Sequence, residues 1–185
     1  MKLYLVRHGQ SEGNFRKVYC GVNDVELTKE GVLQAQRMAK KFEGRSISKI
    51  YSSPLKRAYN TALEISNVLK LDIEKSDLLK EINFGIFENL TWNDIKTRFP
   101  NEAQKWADVG VHYKFVDGES LDDVVVRVIE FVKNCCDNSI IVTHSGIIQS
   151  FIIALEIASY ENSWDYVINN CDVICIENGK ITYFK

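Results

Sequence analysis

An apolar run, Leu3 to Val6, stops abruptly at Arg7, His8 and Gly9, and a second, Ser139 to Thr143, stops at His144. Arg57 follows a third short stretch, Lys49 to Tyr51. Two arginines and two histidines at such breaks are the makings of an anion site. A guanidinium fork matches phosphate oxygens in pairs, and nearby backbone N–H groups add fixed partial charge. A neutral imidazole can attack phosphorus when one ring nitrogen donates to a backbone carbonyl and the other keeps its lone pair. The phosphohistidine so formed would split ester hydrolysis into two displacements, the cations stabilising the oxygens of the phosphoryl group in transit. A glutamate near the crevice, its pKa raised by burial or by neighbouring negative charge, would protonate the leaving alcohol.

Such a convergence needs an open α/β sheet, in which ligands bind beyond the carboxyl ends of the strands. Apolar strands and amphipathic helices alternate along the chain. Thr28 is placed to cap a helix whose Val32, Ala35, Ala39 and Phe42 recur at helical spacing. Ser53 followed by Pro54 predicts a helix start with proline at the first helical position, and Leu55, Ala58, Ala62, Ile65 and Leu69 form its apolar stripe. Leu121, Val124, Val128, Phe131 and Cys135 make a third such stripe, and the segment after His144 is apolar nearly all round, as a buried helix would be. Asn178-Gly179 between two strand-like runs predicts a hairpin. Residues 10–26 read as a polar loop. Residues 82–119 read as an irregular excursion, a lid or substrate wall, in which Thr91 caps a short helix and Pro100 breaks it. The expected architecture is a three-layer α/β sandwich with a mostly parallel central sheet, helices on both faces and an antiparallel edge strand.

The 185 residues, 45% hydrophobic, suit one domain spanning 1–185. A net charge of -2 offers no broad footprint for nucleic acid or an anionic membrane. The start shows neither signal peptide nor membrane span, so a cytoplasmic location is expected. The five cysteines include no CxxC pair and suit a reducing compartment, as buried or inert thiols. His8, His112 and His144 match no zinc spacing, and arginines beside two of them would repel a cation. No metal, P-loop or dinucleotide cofactor is expected. Taken singly, a histidine at a strand end is ordinarily structural, Gln10, Ser11 and Asn14 are ordinary turn formers, and Trp92, His112 and Tyr113 could pack in the core or touch a substrate.

Together the motifs resemble the histidine phosphatase, or phosphoglycerate mutase-like, superfamily. RHGQSEGN, residues 7–14, is similar to its opening signature, which implies His8 as nucleophile and Arg7 and Asn14 around the phosphate; Gln10 and Ser11, turn formers otherwise, are further candidate phosphate contacts. GVNDVELTKEG resembles the following loop, with Gly21 at the pocket, and SSPLKRAYNTA the segment supplying a second phosphate arginine, Arg57. LLKEINFGIFE resembles the stretch carrying the proton donor, which falls on Glu81 with Glu88 close by. DGESLDDVVVRV resembles a helix entry, and VTHSGII the second-histidine motif, at His144. Three residues depart from the pattern: Asn89 replaces a usual glycine, Ser145 follows His144 in place of the commoner glycine, and Gln149 stands where arginine is frequent.

The resemblance implies a metal-independent phosphomonoesterase acting on a small phosphorylated metabolite, as a monomer or homodimer. The compact chain looks more like the phosphatase branch than the glycolytic mutases. Of that branch's small bacterial members, the reading leans to the α-ribazole 5′-phosphate type of cobalamin biosynthesis, although no residue specifies that nucleoside. Phosphoglycerate mutase-type transfer, or a non-catalytic module binding a phospho-ligand or a protein, are the alternatives.

Overall fold

The computed structural model describes residues 1–166 and 168–184. The first strand, β1 (Lys2–Arg7), sends Leu3 and Leu5 to one face and Tyr4 and Val6 to the other, and all four are buried. Burial on both faces is what a central strand covered by two helical layers requires. After a short helix α1 (Glu12–Arg16) comes α2 (Lys29–Ala39), capped as expected by Thr28, whose hydroxyl accepts the Gly31 N–H at 3.0 Å. Next are β2 (Lys49–Ser52), α3 (Lys56–Leu69) and β3 (Ile73–Lys75). Two helices, α4 (Trp92–Arg98) and α5 (Pro100–Val109), lead to α6 (Leu121–Asn134). The chain then runs through β4 (Ser139–Thr143), α7 (Ser145–Ala154), β5 (Val173–Glu177) and β6 (Lys180–Tyr183).

The six strands lie in the order β3-β2-β4-β1-β5-β6, the first four parallel and the last two antiparallel. One core packs Tyr4, Val6, Ile50, Ile140 and Val142 against α2 and α3. The other packs Leu3, Leu5 and Ile141 against α6 and α7. The hairpin turns at Asn178 and Gly179, whose φ values of 52° and 72° are the left-handed pair that such a two-residue turn demands.

Several local expectations are corrected. The helix after β2 begins at Lys56, because the Ser53 hydroxyl, beyond accepting the Leu55 N–H at 3.3 Å, is turned to His144. The polar loop at 10–26 contains α1, held by a capping box in which Ser11 and Asn14 exchange side-chain bonds with each other's backbone N–H. Pro100 both ends α4 and opens α5, its fixed φ being suited to a first helical turn. Segment 82–119 is therefore largely helical. The antiparallel edge consists of β5, which pairs antiparallel with both β1 and β6, and β6 itself; Cys136 is exposed, unlike buried Cys171 and Cys175.

Candidate functional site

Strand register brings the histidines together. Arg7 sits opposite Thr143 in the parallel β1–β4 ladder, so the next residues, His8 and His144, leave adjacent strands side by side. Their ring centroids are 5.1 Å apart, close to the spacing of neighbouring strands. The His8 N–H donates to the Thr143 carbonyl at 3.0 Å, carrying the ladder one residue past the strands. On the other side of β4, Ser52 pairs with Val142, so Ser53 falls level with Thr143, and its side chain reaches on to His144 with Oγ 2.9 Å from Nε2. Ser53, His144 and His8 thus stand in a row across three strand ends.

His8 Nδ1 lies 2.7 Å from the Gly9 carbonyl oxygen, which can only accept, so Nδ1 carries the hydrogen and Nε2 keeps its lone pair. The Ser53 hydroxyl accepts the Leu55 N–H and lies 2.9 Å from His144 Nε2; when it donates its own proton there, the hydrogen of His144 sits on Nδ1. That Nδ1 is buried and without a partner among the described residues, and so is Arg7 Nε. Buried donors in this state cost about 1–3 kcal/mol each until an acceptor meets them. Both histidines are held well below their ordinary pKa, first by burial and then by the charge of Arg57.

Arg57, in the first turn of α3, is almost fully buried. Its guanidinium donates to the carbonyls of Gly21 at 2.6 Å, Asn23 at 2.8 Å and Cys20 at 3.1 Å. Thr61, one turn along, donates to the Arg57 carbonyl and accepts the Gly9 N–H, tying α3 to the loop after β1. The Arg7 guanidinium donates to Ile168 O at 2.6 Å.

Glu81 enters from the segment after β3, which Thr143 anchors by donating to Leu79 O and Arg127 by donating to Leu78 O. Its carboxylate accepts the N–H of Ile82 at 3.0 Å and of Gly146, in the first turn of α7, at 3.4 Å. A side chain at Gly146 would place its Cβ 2.7 Å from Glu81 Oε1, so only glycine allows this approach. Burial raises the pKa of Glu81, against the opposing pull of those N–H groups and of Arg57 and Arg7. Glu88, its rival by sequence, is occupied elsewhere. It accepts the backbone N–H of Gly21, Val22, Asn23 and Phe84, fastening the loop that grips Arg57.

The smaller residues of the opening signature do local work. Ser11 caps α1, and Gln10 Oε1 accepts the Thr28 hydroxyl at 2.9 Å. Asn14 Oδ1 accepts from Ser11 and, at 3.2 Å, from Asn170, which also donates to His8 O. Gly21 lies so close to Ile82 that a Cβ there would fall 2.0 Å from the Ile82 carbonyl oxygen. Asn89 takes φ 61°, the left-handed region that glycine usually fills and asparagine tolerates, which accounts for that departure.

His112 is bonded to Asp122 at 2.9 Å and packs on Tyr160, apart from the strand-end pair. Tyr113 is buried and donates to Glu102 at 2.8 Å, while Trp92 meets Trp106 edge-on. Among the described residues, no group of three or more His, Cys, Asp or Glu side chains is gathered to hold a metal ion, and no helix is long and apolar enough to cross a membrane.

The sequence profile of the histidine phosphatase superfamily (branch 1) matches residues 3–181. The chain belongs to that superfamily. Phosphoserine phosphatase 1 of Hydrogenobacter thermophilus is 31% identical over 192 residues, spanning 100% of this chain and 91% of its own. The α-ribazole phosphatase structure from Shigella flexneri superposes with a TM-score of 0.89 at 25% identity, covering 99% of this chain and 94% of that one. A mycobacterial glucosyl-3-phosphoglycerate phosphatase structure superposes at 0.83 with 26% identity, over 94% and 88%. The fold is thus the mixed-sheet α/β fold of this superfamily, and family and relatives together support a phosphatase enzyme.

Sequence reasoning missed Ser53, Thr61, Asn170 and Gly146. Ser53, Thr61 and Gly146 lie inside the quoted motifs, but the contact each makes runs across the sheet or between elements, so no role at the site is legible from their spacing.

Proposed function

We propose that the protein hydrolyses phosphomonoesters through a phosphohistidine on His8, without a metal ion. The observation that carries this reading is the pairing of the His8 Nε2 lone pair with unpartnered buried donors, His144 Nδ1 and Arg7 Nε, in the same strand-end cluster. A nucleophile ringed by orphan donors suits an electrophile bearing anionic oxygens.

In the first step Nε2 attacks phosphorus, the bond from phosphorus to the ester oxygen breaks, and protonated Glu81 gives its proton to the departing alcohol. Arg7, Arg57, His144 and Asn14 hold the phosphoryl oxygens. In the second step water attacks phosphorus, its proton passes to the Glu81 carboxylate, and the N–P bond breaks to release phosphate and restore His8. Glu81 is suited to both roles because its raised pKa favours the protonated form that an acid needs, and its carboxylate is a competent base. Relatives are named for phosphoserine and α-ribazole phosphates, so small phosphorylated metabolites are the substrate class.

The test is inorganic phosphate release from a panel of phosphomonoesters in EDTA, comparing wild type with His8→Ala. Release by the wild type that the variant lacks is expected, along with an acid-labile, alkali-stable phosphoenzyme. Release by both proteins would remove His8 from the mechanism.

A further inference from the structure

A cavity of about 230 Å³ adjoins the strand-end cluster and touches it at Glu81. Its walls are Tyr19, Phe84, Trp106, Tyr113, Phe115 and Trp164, with the edge of α7 at Ser145, Gly146 and Gln149. It exceeds the roughly 150 Å³ that suffices to hold benzene in an apolar protein cavity. The aromatic wall is preformed: Trp106 lies 4.8 Å from Phe115 and 5.1 Å from Tyr19, and Phe84 5.3 Å from Tyr19 and 5.1 Å from Phe115, all edge-on. Trp164, at the rim, is 58% exposed.

Two features give this cavity a chemical preference. Among the described residues, its lining includes no Lys, Arg or His, and the one charged residue, Glu81, is acidic. Arg7 and Arg57, whose charges are felt at Glu81, donate to backbone carbonyls and face the phosphate of the proposed reaction, while His112, next to Val111 of the wall, bonds Asp122, Lys114 bonds Asp123 and Arg127 bonds Glu119. A carboxylate on the leaving group would therefore lose its water without gaining a cation. The second feature is Gln149, on the inner side of α7, 95% buried by virtue of its 5% exposure, with its amide nitrogen unpartnered among the described residues. An unpaired buried amide in the wall of an apolar cavity favours a ligand that brings a hydrogen-bond acceptor.

We propose that this cavity receives the leaving alcohol and selects uncharged, ring-bearing alcohols over carboxylate-bearing ones, with the Gln149 amide donating to an acceptor on the ring. The inference rests on Glu81 as proton donor, since the cavity meets the reacting centre there. It departs from phosphoserine, the substrate in the name of one relative, whose carboxylate would find no counterion.

The experiment measures kcat/KM for phosphate release from 2-phenylethyl phosphate, n-propyl phosphate, the 2-(pyridyl)ethyl phosphates with nitrogen at each ring position, 3-phosphoglycerate and O-phosphoserine. The phenylethyl and propyl alcohols leave with similar intrinsic difficulty, so their ratio reads the cavity. Burying a ring should favour phenylethyl by about tenfold or more, with both carboxylates below propyl and one pyridyl isomer above phenylethyl. Gln149→Leu should erase that pyridyl advantage, and Trp164→Ala, at an exposed site that tolerates truncation, should narrow the phenylethyl-to-propyl ratio. A carboxylate substrate turned over as well as phenylethyl phosphate, or a ratio unmoved in Trp164→Ala, overturns the cavity assignment while leaving the phosphatase reading intact. Release from none of the esters overturns the phosphatase reading and the cavity assignment with it.

Discussion

His8 and Glu81 face opposite demands, and their surroundings answer each. Burial lowers the pKa of His8, favouring the neutral imidazole a nucleophile needs, and raises that of Glu81, favouring the protonated form an acid needs. Replacing Glu81 with Gln should lower kcat by about 10²- to 10⁴-fold for alkyl phosphates, and far less for p-nitrophenyl phosphate, whose alcohol leaves unprotonated. Equal losses for the two esters would show that Glu81 is not the proton donor. Ser53 acts through its neighbour, fixing which nitrogen of His144 carries hydrogen. Ser53→Ala should reduce kcat about tenfold, equivalent to one hydrogen bond of roughly 1.4 kcal/mol, with a smaller change in KM. Ser53→Thr, which restores the hydroxyl, should recover most of the loss, an outcome that a packing role alone would not produce.

At the scale of elements, loops carry more of the site than their composition advertises. The segment 20–23 is pinned from one side by the Glu88 carboxylate and grips Arg57 from the other with three carbonyls. Glu88→Ala would leave several N–H groups without their charged acceptor. We expect a loss of at least about 2 kcal/mol in denaturant unfolding and a rise in KM that exceeds the fall in kcat, because Arg57 loses its seat. An unchanged KM would separate this loop from phosphate binding.

For the whole molecule, the two buried histidines link stability to pH. Their folded pKa values lie below the unfolded value near 6.5, so the unfolded chain binds more protons as pH falls through that window. The stability they confer is complete above about pH 6.5 and declines below it, by at most about 1.4 kcal/mol per pH unit for each imidazole. Glu81 works in the reverse sense, its raised folded pKa making its contribution fall as pH rises. The His8→Asn/His144→Asn double variant keeps Glu81, so its stability should vary less between pH 6.5 and 5 than that of the wild type. Parallel curves would mean that the imidazoles do not govern acid sensitivity.

The chain alone determined whatever depends on neighbours in sequence. Apolar runs ending in Arg7-His8 and His144 marked the strand ends, the stripes through Ala58 and Val124 marked helices, and Asn178-Gly179 marked the hairpin, since period and turn chemistry are local properties. The candidates Arg7, His8, Arg57 and His144 could be named for the same reason, whereas Glu81 was named from the family resemblance. The short helix α1 and strand β3 were not, because five and three residues carry too little periodicity to stand out from a loop. Only the tertiary structure decided that the Ser53 hydroxyl meets His144 across the β2–β4 ladder, and that Glu81 bonds the first turn of α7 while Glu88 holds a loop. It also turned Gln149 into a cavity wall beside aromatics drawn from positions 19 to 164. Residues that far apart share a site only once the sheet is assembled, because the contact is made by packing between elements and leaves no spacing to read.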